Sequence, residues 1–397
     1  MSKQSAIKYI LLVGDGMADY PIPELGNKTP LEAASTPNMD RLAAEGMIGT
    51  VRTLREGLPL GSDVANLTLL GYEPAQYYTG RGPLEAANMG IDLGKDETAA
   101  RCNLVTIKDN LLLDYSAGHI SSQEAGELID VLNERLGSSQ KRFYPGVSYR
   151  HLLVLKGDFT SVEAVPPHDI IGRPYREYLP GGKGAEVFRE LMAASYQILK
   201  DHPLNQSRDK PANMIWLWGQ GKAPTLPTLK ERFGISGVVV AAVDLVKGLG
   251  RYAGLEVIDV PGVTGYLDTN YEGKVAAGLE ALNQADFLFL HVEAPDEAGH
   301  SGVLKTKIEA IEAFDARIVG PVLKGLSNYK EYRVLLMPDH LTPLSVRTHT
   351  VEPVPFCLFG FGIKPDEAKA FNETEAQKGS VHLEQGWELI TRFLGGE

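Results

Sequence analysis

Cysteine is scarce in this sequence, since only Cys102 and Cys357 occur among 397 residues. A secreted scaffold held by several disulfides is therefore excluded, and so is a thiolate metal site, which needs closely spaced cysteines. Long hydrophobic runs are also missing: the most apolar stretch, 237–249, is interrupted by Asp244 and Lys247, so we expect no membrane-spanning segment. The first residues lack a signal-peptide pattern, and we predict a soluble, cytoplasmic protein.

Positive charge is in the minority, with 39 Lys and Arg against 51 Asp and Glu, which gives a net charge of −12. A general nucleic-acid binder is therefore not expected, because it must neutralise phosphates over a broad surface. A small anionic substrate stays compatible with this balance, because a local basic pocket can oppose the net field. The 43% hydrophobic and 23% charged residues are typical of a globular protein, and the length predicts two or three domains.

Short apolar runs alternate with helical patterns along the whole chain. The runs are 7–13, 152–155, 238–243, 287–292, 334–337 and 356–359. Continuous rather than alternating hydrophobicity is typical of strands covered on both faces, which predicts an α/β fold with a mostly parallel sheet between helix layers. Glycine- and proline-rich stretches near 71–83 and 261–273 indicate domain crossings. We predict a discontinuous core, 1–79 and 266–397, with a smaller domain, 80–265, inserted into it.

Acidic and imidazole side chains follow three of the apolar runs. They are Asp15, Asp296, His300, Asp339, His340 and His349. In an open α/β sheet, ligands bind outside the carboxyl ends of the strands, so these side chains are expected at one edge. Taken singly, each is explained equally well by a helix cap or a core hydrogen bond. Taken together, they predict a metal centre, and carboxylates with imidazoles suit Mn²⁺ or Zn²⁺.

Ser62 ends a Gly- and Pro-rich loop, at the point where an apolar helical pattern begins. The N-terminus of a helix is a positive environment that favours an alkoxide and binds phosphoryl oxygens, so Ser62 is a candidate nucleophile. The competing interpretation is that Ser62 only caps the helix, as most serines at such positions do.

Several motifs in the chain resemble one known family. They are Asp15-Gly16, the segment 36–42 (Thr-Pro-Asn-Met-Asp-Arg-Leu), Ser62-Asp63, 78–86 (Tyr-Thr-Gly-Arg-Gly-Pro-Leu-Glu-Ala), 114–121 (Asp-Tyr-Ser-Ala-Gly-His-Ile-Ser), 261–266 (Pro-Gly-Val-Thr-Gly-Tyr), Asp296-x-x-x-His300, Asp339-His340 and His349-Thr350. The metal and serine motifs resemble the alkaline-phosphatase superfamily. The others are similar to the cofactor-independent, or bisphosphoglycerate-independent, phosphoglycerate mutases of the archaeal type, and the resemblance runs from about 10 to 355.

The resemblance implies an alkaline-phosphatase-like core with two divalent metal ions, Mn²⁺ in first place and Zn²⁺ or Mg²⁺ as alternatives. One ion would be held by Asp296, His300 and His349; the other would be held by Asp15, Asp339, His340 and the Ser62 oxygen. Ser62 would take the phosphoryl group as a phosphoserine. The implied enzyme is an isomerase of glycolysis and gluconeogenesis that interconverts 3-phosphoglycerate and 2-phosphoglycerate without bisphosphoglycerate. The inserted α/β domain would close over the core as a substrate-binding cap.

Cations for this small phosphorylated substrate are expected from the residues His119, Arg150, Arg173 and Lys274, of which His119 matches a family motif. The sequence departs from the family at 216–222, where Trp216 and Trp218 replace a basic stretch. If these tryptophans line the pocket, the acceptor differs from glycerate, as in the relatives proposed to be homoserine kinases. A metal-dependent phosphomonoesterase and a non-catalytic metal-stabilised binding protein are further alternatives.

Overall fold

The chain forms two compact units, and each unit has its own main sheet. The apolar runs of the sequence lie in the strands of these sheets. The structure is a computed structural model that describes residues 7–395. The first unit contains the described residues up to Tyr78 and from Leu226 onward, and the second is the continuous segment Thr79–Thr225.

The strands, β1 to β15 in chain order, are Lys8–Gly14, Met47–Val51, Glu97–Lys108, Leu111–Asp114, Lys141–Tyr144, Arg150–Lys156, Val162–Glu163, Gly181–Gly182, Met214–Gly221, Gly237–Val240, Glu256–Val257, Phe287–Val292, Tyr332–Met337, Val354–Gly360 and Val381–Leu383. The α-helices, α1 to α16, are Pro30–Ala33, Pro37–Glu45, Ser62–Leu69, Pro74–Tyr77, Arg81–Asn88, Ser122–Leu136, Ala185–Leu199, Pro203–Gln206, Leu229–Phe233, Asp244–Tyr252, Tyr271–Ala281, Ala294–Ser301, Leu304–Phe314, Gly320–Leu326, Glu373–Ala376 and Leu389–Leu394. Within residues 7–395, no helix is both long enough and apolar enough to cross a membrane.

The sheet of the first unit has the strand order β11-β10-β12-β1-β13-β14-β2-β15. β1 lies parallel to β12 and β13, so that Leu12 is opposite both Leu290 and Leu336. β14 is antiparallel to its two neighbours, whereas the remaining pairs are parallel. Because β1, β12 and β13 run in the same direction, their carboxyl ends lie at the same edge of the sheet.

The central strands of this sheet are buried on both faces. Ile10, Leu11, Leu12 and Val13 of β1 have no exposed surface, and every residue of β12 is buried. An uninterrupted apolar run is the pattern expected of such strands, because neither face meets water. The predicted α/β class with a mostly parallel sheet is confirmed.

The second unit is built on an antiparallel sheet whose central strand is β3. β3 pairs with β4, β6 and β9, and β5 pairs with β6, all in antiparallel directions. Leu128 of α6 and Phe188 of α7 share one hydrophobic cluster with Trp216 of β9, so this unit has its own core. Its first residue, Thr79, lies beside Gly221 near its other end, since a Cβ atom added at Gly221 would overlap the carbonyl oxygen of Thr79.

The second unit ends earlier than the inserted domain of the sequence analysis, at Thr225 rather than at 265. The reason is β10, which pairs in parallel with β12 in the eight-stranded sheet. The segment 226–265 therefore lies in the first unit. The interpretation of the second unit as a substrate-binding cap stays a prediction.

Glu373, at the start of α15, makes the stability of the protein depend on pH. Its carboxylate accepts hydrogen bonds from Asp19 N (3.0 Å) and Thr29 Oγ1 (2.7 Å), yet burial outweighs them and raises its pKa to about 7 from 4.5. The folded state thus binds more protons than the unfolded state between these values, so the free energy of unfolding should fall by roughly 2 kcal/mol as the pH rises from 4.5 to 7. We expect Glu373→Gln to flatten this dependence in urea unfolding with a chelator present. An equal slope for the variant and the wild type would contradict this assignment.

Candidate metal centre

One group of possible metal ligands is formed by Asp296, His300 and His349, whose ligand atoms lie within 4.8 Å of one another. Asp296 and His300 are one turn apart on α12, which follows β12 directly and has Pro295 in its first turn. Their Oδ2 and Nε2 atoms are 3.2 Å apart, and His349 Nε2 is 3.5 Å from Asp296 Oδ1. The structure thus has Asp296 and His300 on one face of a helix, as their spacing of four predicts.

The two imidazoles of this group are oriented by backbone carbonyls. His300 Nδ1 donates to Arg347 O (2.9 Å), and His349 Nδ1 donates to Leu60 O (2.8 Å). Each ring therefore presents Nε2 to the same point, and the two Nε2 atoms are only 3.2 Å apart. A hydrogen bond at one ring nitrogen that directs the other is the usual arrangement of metal-binding histidines.

A second group is formed by Asp15, Asp339 and His340, which are all fully or almost fully buried. His340 Nε2 lies 3.3 Å from Asp15 Oδ1 and 3.5 Å from Asp339 Oδ2. Asp339 Oδ1 accepts hydrogen bonds from the backbone N–H groups of Gly16 (3.1 Å) and His340 (3.0 Å). The loops after β1 and β13 thus meet at this carboxylate, as the parallel strand order predicts.

Glycine at position 16 allows the two groups to lie next to each other. Its φ is +59°, and an added Cβ would stand 2.5 Å from both Asp296 Oδ1 and Thr342 Oγ1. A side chain at this position is therefore excluded by conformation and by space. The rings of His340 and His349, one from each group, have centroids 4.1 Å apart.

Two polar residues that were not predicted from the sequence, Asn66 and Thr342, form hydrogen bonds to members of both groups and to Ser62. Asn66 Nδ2 donates to Ser62 O and to Asp339 Oδ2, both at 2.8 Å. Thr342 Oγ1 accepts from His340 Nδ1 (3.2 Å) and donates to Asp296 Oδ1 (2.5 Å), which links the two groups. Ser62 and Asn66 are four positions apart and therefore one turn apart on α3, a spacing from which the contact of Asn66 with the site could have been predicted. The position of Thr342 in the sequence shows no comparable pattern.

Ser62 does not cap its helix. Gly61 occupies the N-cap position of α3 and no side chain caps this end, whereas Ser62 Oγ lies 3.1 Å from His340 Nε2. The side chain of the next residue, Asp63, instead accepts a hydrogen bond from the Tyr78 hydroxyl (2.6 Å). The capping interpretation is therefore wrong, and the structure brings the hydroxyl to the edge of the second group.

The site is strongly attractive to positive charge. Burial, together with the nearby charge of Asp339, raises the pKa of Asp15 well above its ordinary value. Burial lowers the pKa of His300, but the Asp296 carboxylate outweighs burial and raises it to about 9. Burial lowers the pKa of His340 to about 4, so this imidazole is neutral at neutral pH and is free to act as a ligand.

The residues of both groups fit divalent metal ions. Their donor atoms are carboxylate oxygens and imidazole nitrogens without thiolate, a set that suits Mn²⁺ or Zn²⁺. Asp15 Oδ1 is buried and has no hydrogen-bond partner, which is costly unless a cation or a proton satisfies it. The structure thus brings together all seven residues predicted for the metals and the nucleophile, whose chemical roles stay predictions.

Three of the substrate candidates lie exposed in the second unit. The imidazole of His119 is 6.2 Å from the ring of Tyr149, and the guanidinium of Arg150 is 5.8 Å from the same ring, so these two flank one aromatic side chain. Arg173 donates instead to the Tyr178 hydroxyl (3.2 Å).

Lys274 differs from the expectation of a cation available to substrate. It is fully buried on α11 in the first unit, and its Nζ donates to the carbonyl oxygen of His291 (2.9 Å). Burial lowers its pKa to about 8. An apolar helix pattern around a single lysine does not indicate whether the lysine faces inward, so the burial of Lys274 was not predictable from the sequence.

The two tryptophans of the atypical stretch belong to the core of the second unit. Both are buried on β9; Trp216 Nε1 donates to Val165 O (2.8 Å), and Trp218 Nε1 donates to Asn103 Oδ1 (3.2 Å). Buried indoles with satisfied N–H groups are ordinary packing residues. These tryptophans therefore give no support to an acceptor other than glycerate.

Comparisons with known proteins identify the family of this chain. The sequence pattern of the family described as 2,3-bisphosphoglycerate-independent phosphoglycerate mutase matches residues 43–205. A protein of that name from Methanosarcina barkeri is 52% identical over 97% of this chain and 98% of its own length. The solved structure of PH0037 protein from Pyrococcus horikoshii is 32% identical, with a TM-score of 0.82 over 98% of this chain and 97% of that one. A cofactor-independent phosphoglycerate mutase from Thermoplasma acidophilum is 28% identical, with a TM-score of 0.65 over 98% of this chain and 100% of that one. The resemblance found in the motifs is confirmed, and the chain belongs to the 2,3-bisphosphoglycerate-independent phosphoglycerate mutases, a family of isomerases.

Proposed function

We propose that this protein interconverts 3-phosphoglycerate and 2-phosphoglycerate through a phosphoserine at Ser62. The observation that carries the proposal is the position of Ser62 Oγ, 3.1 Å from His340 Nε2 at the edge of the buried group Asp15, Asp339 and His340. The Ser62 hydroxyl does not cap the helix, and it lies beside this group of side chains. An activated nucleophile would occupy the same position. Membership of the mutase family supports the same reaction.

Two divalent metal ions, in our proposal Mn²⁺, would be held by the two groups of side chains. Asp296, His300 and His349 would hold one ion, and Asp15, Asp339 and His340 would hold the other together with Ser62 Oγ. Bound divalent cations neutralise phosphoryl oxygens and lower the pKa of a coordinated hydroxyl. The backbone contacts of Asp339 and of the imidazoles fix the ligand atoms in advance, so that little reorganisation is needed.

The transfer itself exchanges bonds at phosphorus. Ser62 Oγ loses its proton and forms a bond to phosphorus, while the bond between phosphorus and the glycerate oxygen breaks and that oxygen takes up a proton. The reverse transfer to the neighbouring glycerate hydroxyl gives the isomer and regenerates Ser62. Asn66 contributes by holding the Ser62 carbonyl and the Asp339 carboxylate with one amide group.

We further propose that the second unit binds substrate through His119 and Arg150, with Arg173 as a weaker candidate. His119 and Arg150 flank Tyr149 and are exposed, so both are available to a carboxylate or phosphate group. We also propose that the interconversion of the two phosphoglycerates is a step of glycolysis and gluconeogenesis and takes place in the cytoplasm.

The test is substrate profiling of the purified protein with Mn²⁺. We expect 3-phosphoglycerate to give 2-phosphoglycerate without added bisphosphoglycerate, as measured by ³¹P NMR after quenching and removal of the metal. Accumulation of inorganic phosphate would instead indicate a phosphomonoesterase. Phosphorylation of homoserine by ATP, without mutase turnover, would indicate the kinase-type alternative. An absolute requirement for bisphosphoglycerate would contradict the phosphoserine route.

A further inference from the structure

Lys307 is a fully buried lysine on α13 that has no place in the reaction described above. Its Nζ donates three hydrogen bonds, to Ala18 O (3.2 Å), Thr342 O (2.8 Å) and Asp19 Oδ2 (2.7 Å). An ammonium group has three donors, and here each has an acceptor inside the protein.

The acceptors of Lys307 lie on the loops that carry the second group of candidate ligands. Ala18 is three residues after Asp15 in the loop after β1, and Thr342 is two residues after His340 in the loop after β13. The Thr342 side chain is itself bonded to His340 Nδ1 and to Asp296. One ammonium therefore ties together the backbones of both loops.

Asp19, the ion-pair partner of Lys307, also links the loops after β1 and β13. Its carboxylate pairs with Lys307 and also accepts the backbone N–H groups of Tyr20 (2.7 Å) and Leu344 (3.1 Å), one from each loop. Both side chains of the pair are essentially without solvent contact. A buried ion pair is weak support for stability alone, because apolar residues of similar volume serve equally well. The spread of its hydrogen bonds over two loops points to a role in fixing their geometry.

We propose that Lys307 is a positioning residue that holds the loops 15–19 and 339–344 in the arrangement needed to bind metal. The inference rests on the proposed function only in that these loops supply metal ligands, and it does not depend on the identity of the substrate. A lysine reaches the two carbonyls and the carboxylate at once, which an apolar residue cannot do.

The test compares Lys307→Met with Lys305→Met, a change two residues earlier on the same helix, where the side chain is 86% exposed. We expect Lys307→Met to weaken Mn²⁺ binding roughly 10- to 100-fold in calorimetric titrations, as is usual when a partner of the ligands is lost. Amide exchange in the metal-free protein should become faster in 15–19 and 339–344. At saturating Mn²⁺, the KM for phosphoglycerate should change less than kcat. Lys305→Met should leave all of these unchanged.

Lys307→Met leaves Asp19 as an uncompensated buried charge and is at risk of not folding. The double variant Lys307→Met, Asp19→Leu removes both charges, and we expect it to fold but to keep the weakened Mn²⁺ binding and the faster loop exchange. Mn²⁺ affinity and loop exchange equal to those of the wild type, in either variant, would overturn the proposal. A wild-type protein that binds Mn²⁺ without mutase turnover would refute the proposed function and leave this comparison intact.

Discussion

Replacing Ser62 with alanine is expected to lower the rate of phosphoglycerate interconversion by about 10⁴-fold or more, because the proposed route passes through a phosphoserine at this residue. The loss should appear in kcat, and phosphate transfer to the protein, followed by mass spectrometry, should disappear. Stability should change little, since Ser62 makes no capping hydrogen bond and Gly61 holds the cap position. The protein should still bind Mn²⁺, because the imidazoles and carboxylates are retained.

Thr228→Ala is the matched control for this change. Thr228 caps α9 in the same unit, and its side chain accepts from Glu231 N in a reciprocal pair with that glutamate. We expect this variant to lose about 1 kcal/mol of stability and to keep wild-type kcat, the opposite of Ser62→Ala. If Ser62→Ala keeps more than a few per cent of wild-type turnover, the phosphoserine route is wrong.

Asp339→Asn is expected to weaken Mn²⁺ binding at least about 100-fold, more than the loss of a group that only supports a ligand. The carboxylate is fully buried and receives two backbone N–H groups and the Asn66 amide. An asparagine keeps the volume but removes the negative charge, and its NH₂ group would face donors on either side. Turnover should fall with it, and excess Mn²⁺ should restore only part of the rate. Equilibrium dialysis with metal analysis measures the affinity directly.

Asp315→Asn is the control for a buried aspartate without a metal role. Asp315 also accepts backbone and amide N–H groups, from Met39 and Asn38, and it is equally buried in the same unit. We expect it to lose stability while Mn²⁺ affinity stays at the wild-type value. An affinity for Mn²⁺ that is equal in Asp339→Asn and the wild type would remove Asp339 from the metal centre.

The edge of the sheet was predictable because buried parallel strands leave a simple signal. Uninterrupted apolar runs followed closely by Asp15 and Asp339 indicate both the strands and their shared edge, so that these residues could be predicted as metal ligands from the sequence. The sequence left two interpretations of Ser62 open, because a serine at the start of a helix has the same sequence pattern whether it caps the helix or acts as a nucleophile. The N-cap position of Gly61 and the contact of Ser62 Oγ with His340 exclude the capping interpretation.

The parts that could not be predicted are those where tertiary pairing overrides the local pattern. β3 was missed because it buries Arg101 and Asn103 among apolar residues, which hides its strand character. Arg101 is kept inside by its ion pair with Glu85, a partner 16 positions away. β10 was recognised as a strand, but a short apolar run does not indicate which sheet it joins, so the end of the inserted domain was predicted at 265 rather than at 225.

The contact between Thr79 and Gly221 has a consequence for how the second unit tolerates changes in length. Because Thr79 and Gly221 lie side by side, the chain between them begins and ends at nearly the same point. A segment attached in this way can lengthen, shrink or be exchanged without moving the residues on either side of it. Insertions or deletions within that segment are therefore expected to leave the eight-stranded sheet and its candidate metal residues in place.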